Sequence, residues 1–199
     1  MLRNTNFLRI YEYDFEFYIS FNNVIMAKKA VLIIGFKEFR DEEYFIPKEI
    51  LESAGVKVKT ASSSLSLAIG NLGGEANVDL ALDDINVDDY DVILFVGGQG
   101  AVKYLDNERA YKIAREAIEK NKILAAICIA PVILAKAGVL KDKKATVWNS
   151  AMDKSAVKIL KEFGAVFKKE NVVVDGKIIT AKGSEFARDF ANTIISLLK

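Results

Sequence analysis

The sequence predicts an α/β fold, a mainly parallel, doubly wound sheet with a small antiparallel hairpin appended near its C-terminal end. Three observations predict it. Largely apolar runs recur at Ala30 to Phe36, Val92 to Val96 and Lys122 to Cys128, as expected of parallel strands buried on both faces. Stretches with helical spacing fall between them. Near the C-terminus, Asp175-Gly176 separates Val172 to Val174 from Ile178 to Thr180, a strong hairpin signal.

The elements follow in order. After the Ala30 run, Glu43 to Ala54 has helical spacing with Ile46, Ile50 and Leu51 inward, and Gly55 ends it. Val56 to Thr60 alternates as a second strand. Leu65 to Ile69 and Ala76 to Leu80, split by Gly73-Gly74, predict a hairpin. The Val92 strand stops at Gly97-Gly98-Gln99-Gly100. Asn107 is the expected cap of a helix through Lys120 whose inner face carries Ala110, Ile113, Ala114 and Ile118. The Lys122 strand turns sharply at Cys128 into a helix ending on Gly138. A short strand at Ala145 to Trp148, a helix from Lys154 to Phe163 stopped by Gly164, the hairpin, and a last amphipathic helix capped by Ser184 complete the chain.

Composition narrows the chemistry. The chain has 199 residues, 51% hydrophobic and 28% charged, with net charge +1, the profile of one globular domain. Evenly mixed charges argue against nucleic acid or an anionic membrane as partner. No run reaches the roughly 18–20 apolar residues of a membrane span. There is one cysteine and no histidine. That excludes Ser-His-Asp triads, Cys-His dyads, histidine-bearing zinc sites and thiolate metal clusters, and no metal or cofactor is expected. A single cysteine also suits a reducing cytoplasm.

Residues 1–25 read as an extension to a domain spanning residues 27–199. Seven aromatic residues crowd it (Phe7, Tyr11, Tyr13, Phe15, Phe17, Tyr18 and Phe21), and parts alternate like a strand. Either it is an added arm, or the chain begins at Met26; the second reading is favoured.

Cys128 is the strongest functional candidate. Small residues flank it at Ala126 and Ala130, the spacing a nucleophile needs on a tight strand-to-helix turn. A nascent helix end beside the sulfur would favour the thiolate and lower a thiol pKa of about 8.5. The alternative is a buried structural cysteine; the elbow pattern favours a functional thiol. Gly97-Gly98 lacks dinucleotide-binding spacing but permits close backbone approach, and an N–H from Gly98 with that of Ile129 could form an oxyanion hole. A plain glycine turn is the alternative. The acidic run Asp41-Glu42-Glu43 before a helix reads equally as a favourable first turn.

Taken together and in this order, Glu43-Tyr44-Phe45-Ile46-Pro47, Gly97-Gly98, Ala125-Ala126-Ile127-Cys128-Ile129-Ala130-Pro131 and the Asp175-Gly176 hairpin resemble the PfpI/ThiJ superfamily of intracellular peptidases, glyoxalase-type and deglycase-type enzymes and the parkinsonism-associated redox protein. The resemblance spans about residues 28–199. It implies a flavodoxin-like sandwich and a homo-oligomer, with Cys128 as nucleophile, Glu43 as the carboxyl group beside its sulfur, and Gly98 and Ile129 as backbone donors. Two departures stand out. The peptidase branch has histidine where this chain has Ile129, and the deglycase branch often has one near the position of Trp148 and Asn149. Asn149 is a candidate hydrogen-bonding group; Trp148 is read mainly as a core residue, alternatively as a cover over the thiol.

Three readings result. The first is a cysteine-dependent enzyme acting on small reactive carbonyls or on proteins modified by them, with Glu43 handling the proton. The second is an intracellular cysteine peptidase, and the third a non-enzymatic redox or stress sensor, chaperone-like in action. The first is favoured. It carries the expectation that Glu43 stays protonated and that the thiol pKa falls.

Overall fold

In the computed structural model, which describes residues 27–199, the apolar runs lie side by side in one sheet. Its order is β11 (Val172–Asp175), β12 (Ile178–Ala181), β8 (Ile123–Ile127), β7 (Val92–Phe95), β1 (Lys29–Ile33), β3 (Lys57–Ser62) and β6 (Leu80–Ala81). Every pairing is parallel except β11 with β12, the predicted hairpin. The aromatic N-terminal segment and the alternative start at Met26 lie outside the described residues.

Uninterrupted apolar strands make sense because both faces are covered. Val31, Ile33, Ile93, Phe95, Leu124 and Ala126 point into one core. There they meet helices α3 (Glu108–Glu119), α4 (Pro131–Lys136) and α5 (Ser155–Glu162). The alternate residues Ala30, Leu32, Ile34, Leu94, Ala125 and Ile127 pack with helices α1 (Asp41–Ser53) and α6 (Ala187–Leu198). None of the helices among the described residues is long and apolar enough to cross a membrane.

Several local expectations are corrected. The hairpin about Gly73-Gly74 forms, but over fewer residues than Leu65 to Leu80. β4 (Ala68–Gly70) pairs antiparallel with β5 (Glu75–Ala76) and parallel with β2 (Lys37–Phe39) in a small separate sheet, whereas β6 joins the main one. Local alternation predicts strands but not their partners. Ile118 is outward and 38% exposed, and Ala117 takes the inward place. The last helix is not capped by Ser184, which instead opens a 3₁₀ turn, Ser184–Phe186, ahead of α6. The strand at Ala145 is only Lys144–Ala145, β9, and pairs with β10 (Val166–Phe167). A six-residue helix, α2 (Gln99–Tyr104), begins directly after Gly97-Gly98 and takes in Gly100.

By contrast, Asn107 caps α3, its side-chain oxygen accepting from the Ala110 N–H at 3.1 Å. In α1, Ile46 and Ile50 are half-buried rather than core, while Tyr44, Pro47 and Leu51 face inward. Pro47 has no N–H, so the Glu43 carbonyl one turn earlier lacks its usual helical partner. The residue ahead of α1 is also tied to the sheet, through Arg40 N–H donating to the Gly97 carbonyl at 3.1 Å. That bond joins the beginning of α1 to the end of β7, where the candidate residues meet.

Candidate active site

At the carboxyl end of β8 the chain turns through Cys128 with φ of 62°, a left-handed conformation that costs a non-glycine residue about 1–2 kcal/mol. Two backbone bonds offset that strain. Cys128 N–H donates to the Ala181 carbonyl at 2.9 Å, and Trp148 N–H donates to the Cys128 carbonyl at 2.8 Å. The fully buried Ala126 and Ala130 leave the turn the room it needs. The loop carrying Trp148 is itself tied to β12, because Thr146 N–H donates to the buried Thr180 hydroxyl at 2.9 Å.

The other partners arrive from β7 and α1. Backbone N–H groups of Gly98 and Ile129 are directed at the Cys128 sulfur, and that of Gly97 at the Glu43 carboxyl group. Glu43 is 1% exposed and stands beside the thiol, its Oε2 without a hydrogen-bond partner. A bare carboxylate oxygen in such a place is costly, whereas a protonated one can donate toward the sulfur. Gly97 is the reason the two groups can approach. A Cβ there would stand 2.6 Å from Cys128 Cβ and closer still to Glu43 Oε2. Gly98, with φ of 96°, presses against the backbone at Arg40 in the same way.

Burial sets the electrostatics. It lifts Glu43 from its ordinary 4.5 to about 7, against the smaller opposing pull of the Cys128 contact, the Arg40 charge and the Gly97 N–H. The thiol is pushed up as well, first by burial and then by the negative charge of Glu43. The depressed thiol expected from the sequence is thus corrected. The N–H groups of Gly98 and Ile129 do favour the thiolate, but desolvation and like charge outweigh them. The pair therefore titrates as a unit, losing one proton near neutrality and holding the second far longer.

The sulfur opens onto a cleft of about 660 Å³ lined by Arg40, Glu43, Gly98, Ile129, Trp148 and Glu185, among others. Trp148 is not core; it is 37% exposed at this cleft. Asn149 is not part of the cleft. Its amide donates to the Val147 carbonyl at 2.9 Å and accepts from Lys154 at 3.0 Å, so it serves its own loop. Sequence reasoning missed Asp41, whose buried carboxylate accepts from Leu72 N–H at 2.8 Å and Gly74 N–H at 2.7 Å. Those bonds hold the loop that brings Asn71 to the cleft. Arg40 and Glu185 were missed as well. A charge next to the quoted motif could have flagged Arg40, but nothing local marks Glu185.

A mainly parallel sheet whose strand ends carry a cysteine elbow and a glycine pair, with a buried glutamate from the first helix beside them, defines a class, and comparison with known proteins gives it a family. Residues 28–197 match the DJ-1/PfpI family. The chain belongs to that family. It is 41% identical to an uncharacterized protein of Methanocaldococcus jannaschii over 86% of this chain and 82% of the relative. It is 31% identical to the deglycase PfpI of Pyrococcus furiosus, covering 85% of this chain and 99% of that one. The crystal structure of a ThiJ/PfpI domain protein from Brachyspira murdochii superposes with a TM-score of 0.81 at 34% identity, over 85% of this chain and 95% of that chain. The flavodoxin-like architecture expected from the motifs is the one observed.

Proposed function

We propose that this protein is a cysteine-dependent hydrolase of small reactive carbonyls and of the adducts they form on amines, acting in the cytoplasm as a homo-oligomer. The observation that supports it is the Glu43–Cys128 pair, with Glu43 at about 7 beside a sulfur that also receives two backbone N–H groups. A base works best when its pKa lies near the working pH, and Glu43 fits. Ionised Glu43 takes the thiol proton as Sγ adds to the electrophilic carbon. On an amine adduct the new C–S bond replaces the C–N bond, and the amine leaves with the proton from Glu43. On a free 2-oxoaldehyde, the carbonyl oxygen takes that proton instead.

Both routes give the same hemithioacetal. Transfer of its C–H proton to the neighbouring carbonyl carbon, through an enediol with Glu43 as carrier, makes a thioester, oxidising one carbon and reducing the other without an external oxidant. Water then cleaves the thioester to a 2-hydroxy acid and restores the thiol. The N–H groups of Gly98 and Ile129, which face the sulfur, lie where developing negative charge can be received. The deglycase name carried by the Pyrococcus furiosus relative agrees with this reading.

The purified protein should release lactate from methylglyoxal and free amine from the methylglyoxal adduct of N-acetylarginine, and Cys128→Ala should release neither. Lactate formation that persists in Cys128→Ala would refute the reading. Casein cleavage lost in that variant, with no carbonyl turnover in the wild type, would put the peptidase reading in its place.

A further inference from the structure

Among the described residues, the proton chemistry at Cys128 leaves one buried charge without a role. Asp41 opens α1, where the helix N-terminus favours its carboxylate. It accepts from Leu72 N–H at 2.8 Å and from Gly74 N–H at 2.7 Å. The loop closes around it, with Gly70 N–H donating to the Gly74 carbonyl at 2.8 Å and Asn71 N–H to the Phe39 carbonyl at 2.8 Å. A Cβ on Gly70 would stand 2.5 Å from Asp41 Oδ1, and one on Gly74 closer still. A side chain at either position would push the carboxylate off its partners. Apolar packing contributes little at the tip, where Leu72 is 66% exposed. Hydrogen bonds to Asp41 and Phe39 therefore fix where Asn71 stands.

Asn71 lines the same cleft as Cys128. At about 660 Å³ that cleft is of the size that takes drug-sized ligands, far more than a three-carbon 2-oxoaldehyde fills. The cations on its wall are already engaged, Arg40 with Glu42 at 2.9 Å and Lys103 with Glu38. The Asn71 side chain is exposed and makes no hydrogen bond among the described residues, so its donor and acceptor are both free. A neutral group that donates and accepts at once is complementary to a peptide group.

We propose that Asn71 is a substrate-contact residue of this cleft, hydrogen-bonding a peptide group next to the reacting carbon, and that Asp41 is the positioning residue that holds it there. This rests on the hydrolase reading for its meaning, but not for its test. It names the preferred substrate as a carbonyl adduct within a peptide rather than a free 2-oxoaldehyde.

Alkylation of Cys128 by two reagents of similar length reads the contact without turnover. N-iodoacetylalanine methylamide carries a peptide group beyond the reactive carbon; N-butyliodoacetamide carries a plain chain. The ratio of their rates divides out the reactivity of the thiol, and the same ratio with glutathione corrects for the reagents themselves. After that correction the wild type should favour the peptide reagent by about twofold to tenfold, the net worth of one hydrogen bond. The preference should vanish in Asn71→Ala. It should vanish in Asp41→Asn as well, because asparagine presents an NH2 group to one of the two loop N–H donors. The double variant should lose no more than either single one, since both changes remove the same contact. A wild-type ratio equal to that of glutathione, or a ratio unchanged in Asn71→Ala, would overturn the contact. A preference lost in Asn71→Ala but kept in a folded Asp41→Asn protein would overturn the positioning role. A wild-type protein that shows the preference yet releases amine from no adduct would refute the hydrolase reading alone and leave the contact standing.

Discussion

Glu43→Gln will stabilise the fold at about pH 8 while removing most of the activity. Glu43 is lifted by burial from 4.5 to about 7, so between those values the folded chain keeps a proton that the unfolded chain releases. A raised pKa of this kind contributes stability fully below about pH 4.5, and the contribution is lost as pH rises through 7. At about 1.4 kcal/mol for each pH unit of that window, the loss by pH 8 is up to about 3 kcal/mol. Glutamine keeps the shape and has no proton to release. Denaturant unfolding of the two proteins should therefore agree within error near pH 4 and diverge in favour of Glu43→Gln as pH rises. The same variant should lose about 10²–10⁴-fold in kcat/KM, the usual contribution of a positioned acid–base group. A stability difference that does not change with pH would mean that Glu43 is ionised at little cost, and the shared-proton account would fail.

Gly97→Val is the second large effect, and it acts through space rather than charge. Any Cβ at this position meets Cys128 Cβ at 2.6 Å and the Ile127 carbonyl at 2.8 Å, and is closer still to Glu43 Oε2. Backbone and nucleophile cannot both remain in place. Overpacking of this kind typically costs about 1–3 kcal/mol. A displacement near 1 Å at the reacting atoms costs about 10²-fold in rate. Because Gly97 belongs to no strand or helix, the fold should survive, with near-native circular dichroism and a lowered Tm. Full activity in a folded Gly97→Val protein would show that the Glu43–Cys128 approach is not needed.

The parts legible in the sequence are those fixed by local pattern. Ala30 to Phe36, Val92 to Val96 and Ile123 to Cys128 are apolar at every turn of the pleat, because two cores divide their side chains between them. Their carboxyl ends carry Gly97-Gly98 and Cys128, so a parallel sheet already implies that these meet. Cys128 could be read as an elbow because Ala126 and Ala130 flank it, and its φ of 62° is the conformation that the elbow requires. Glu43 is brought to the sulfur through the bond from Arg40 to Gly97, a contact between distant segments that the acidic run alone does not reveal.

What was not legible depends on partners far along the chain. β2 is three residues long, and its pairing with β4 draws the Leu65 to Ala76 segment away from the main sheet. Trp148 looks like core from its neighbours Thr146 and Val147, which are buried, yet the indole faces the cleft. The thiol was read from the helix end beside it. That reading left out desolvation and the charge of Glu43, which dominate once the site is closed over.

The pH dependence of Cys128 alkylation in wild type and Glu43→Gln tests the shared proton most directly. In the wild type, one proton leaves the pair near pH 7 and the second only at much higher pH, because burial and the Glu43 charge hold it on the sulfur. The account predicts a two-step rate profile for the wild type. In Glu43→Gln it predicts a single step, with no transition near neutrality and a midpoint below the upper step of the wild type. Superimposable profiles for the two proteins would contradict it and leave Glu43 as nothing more than an acid in the first turn of α1.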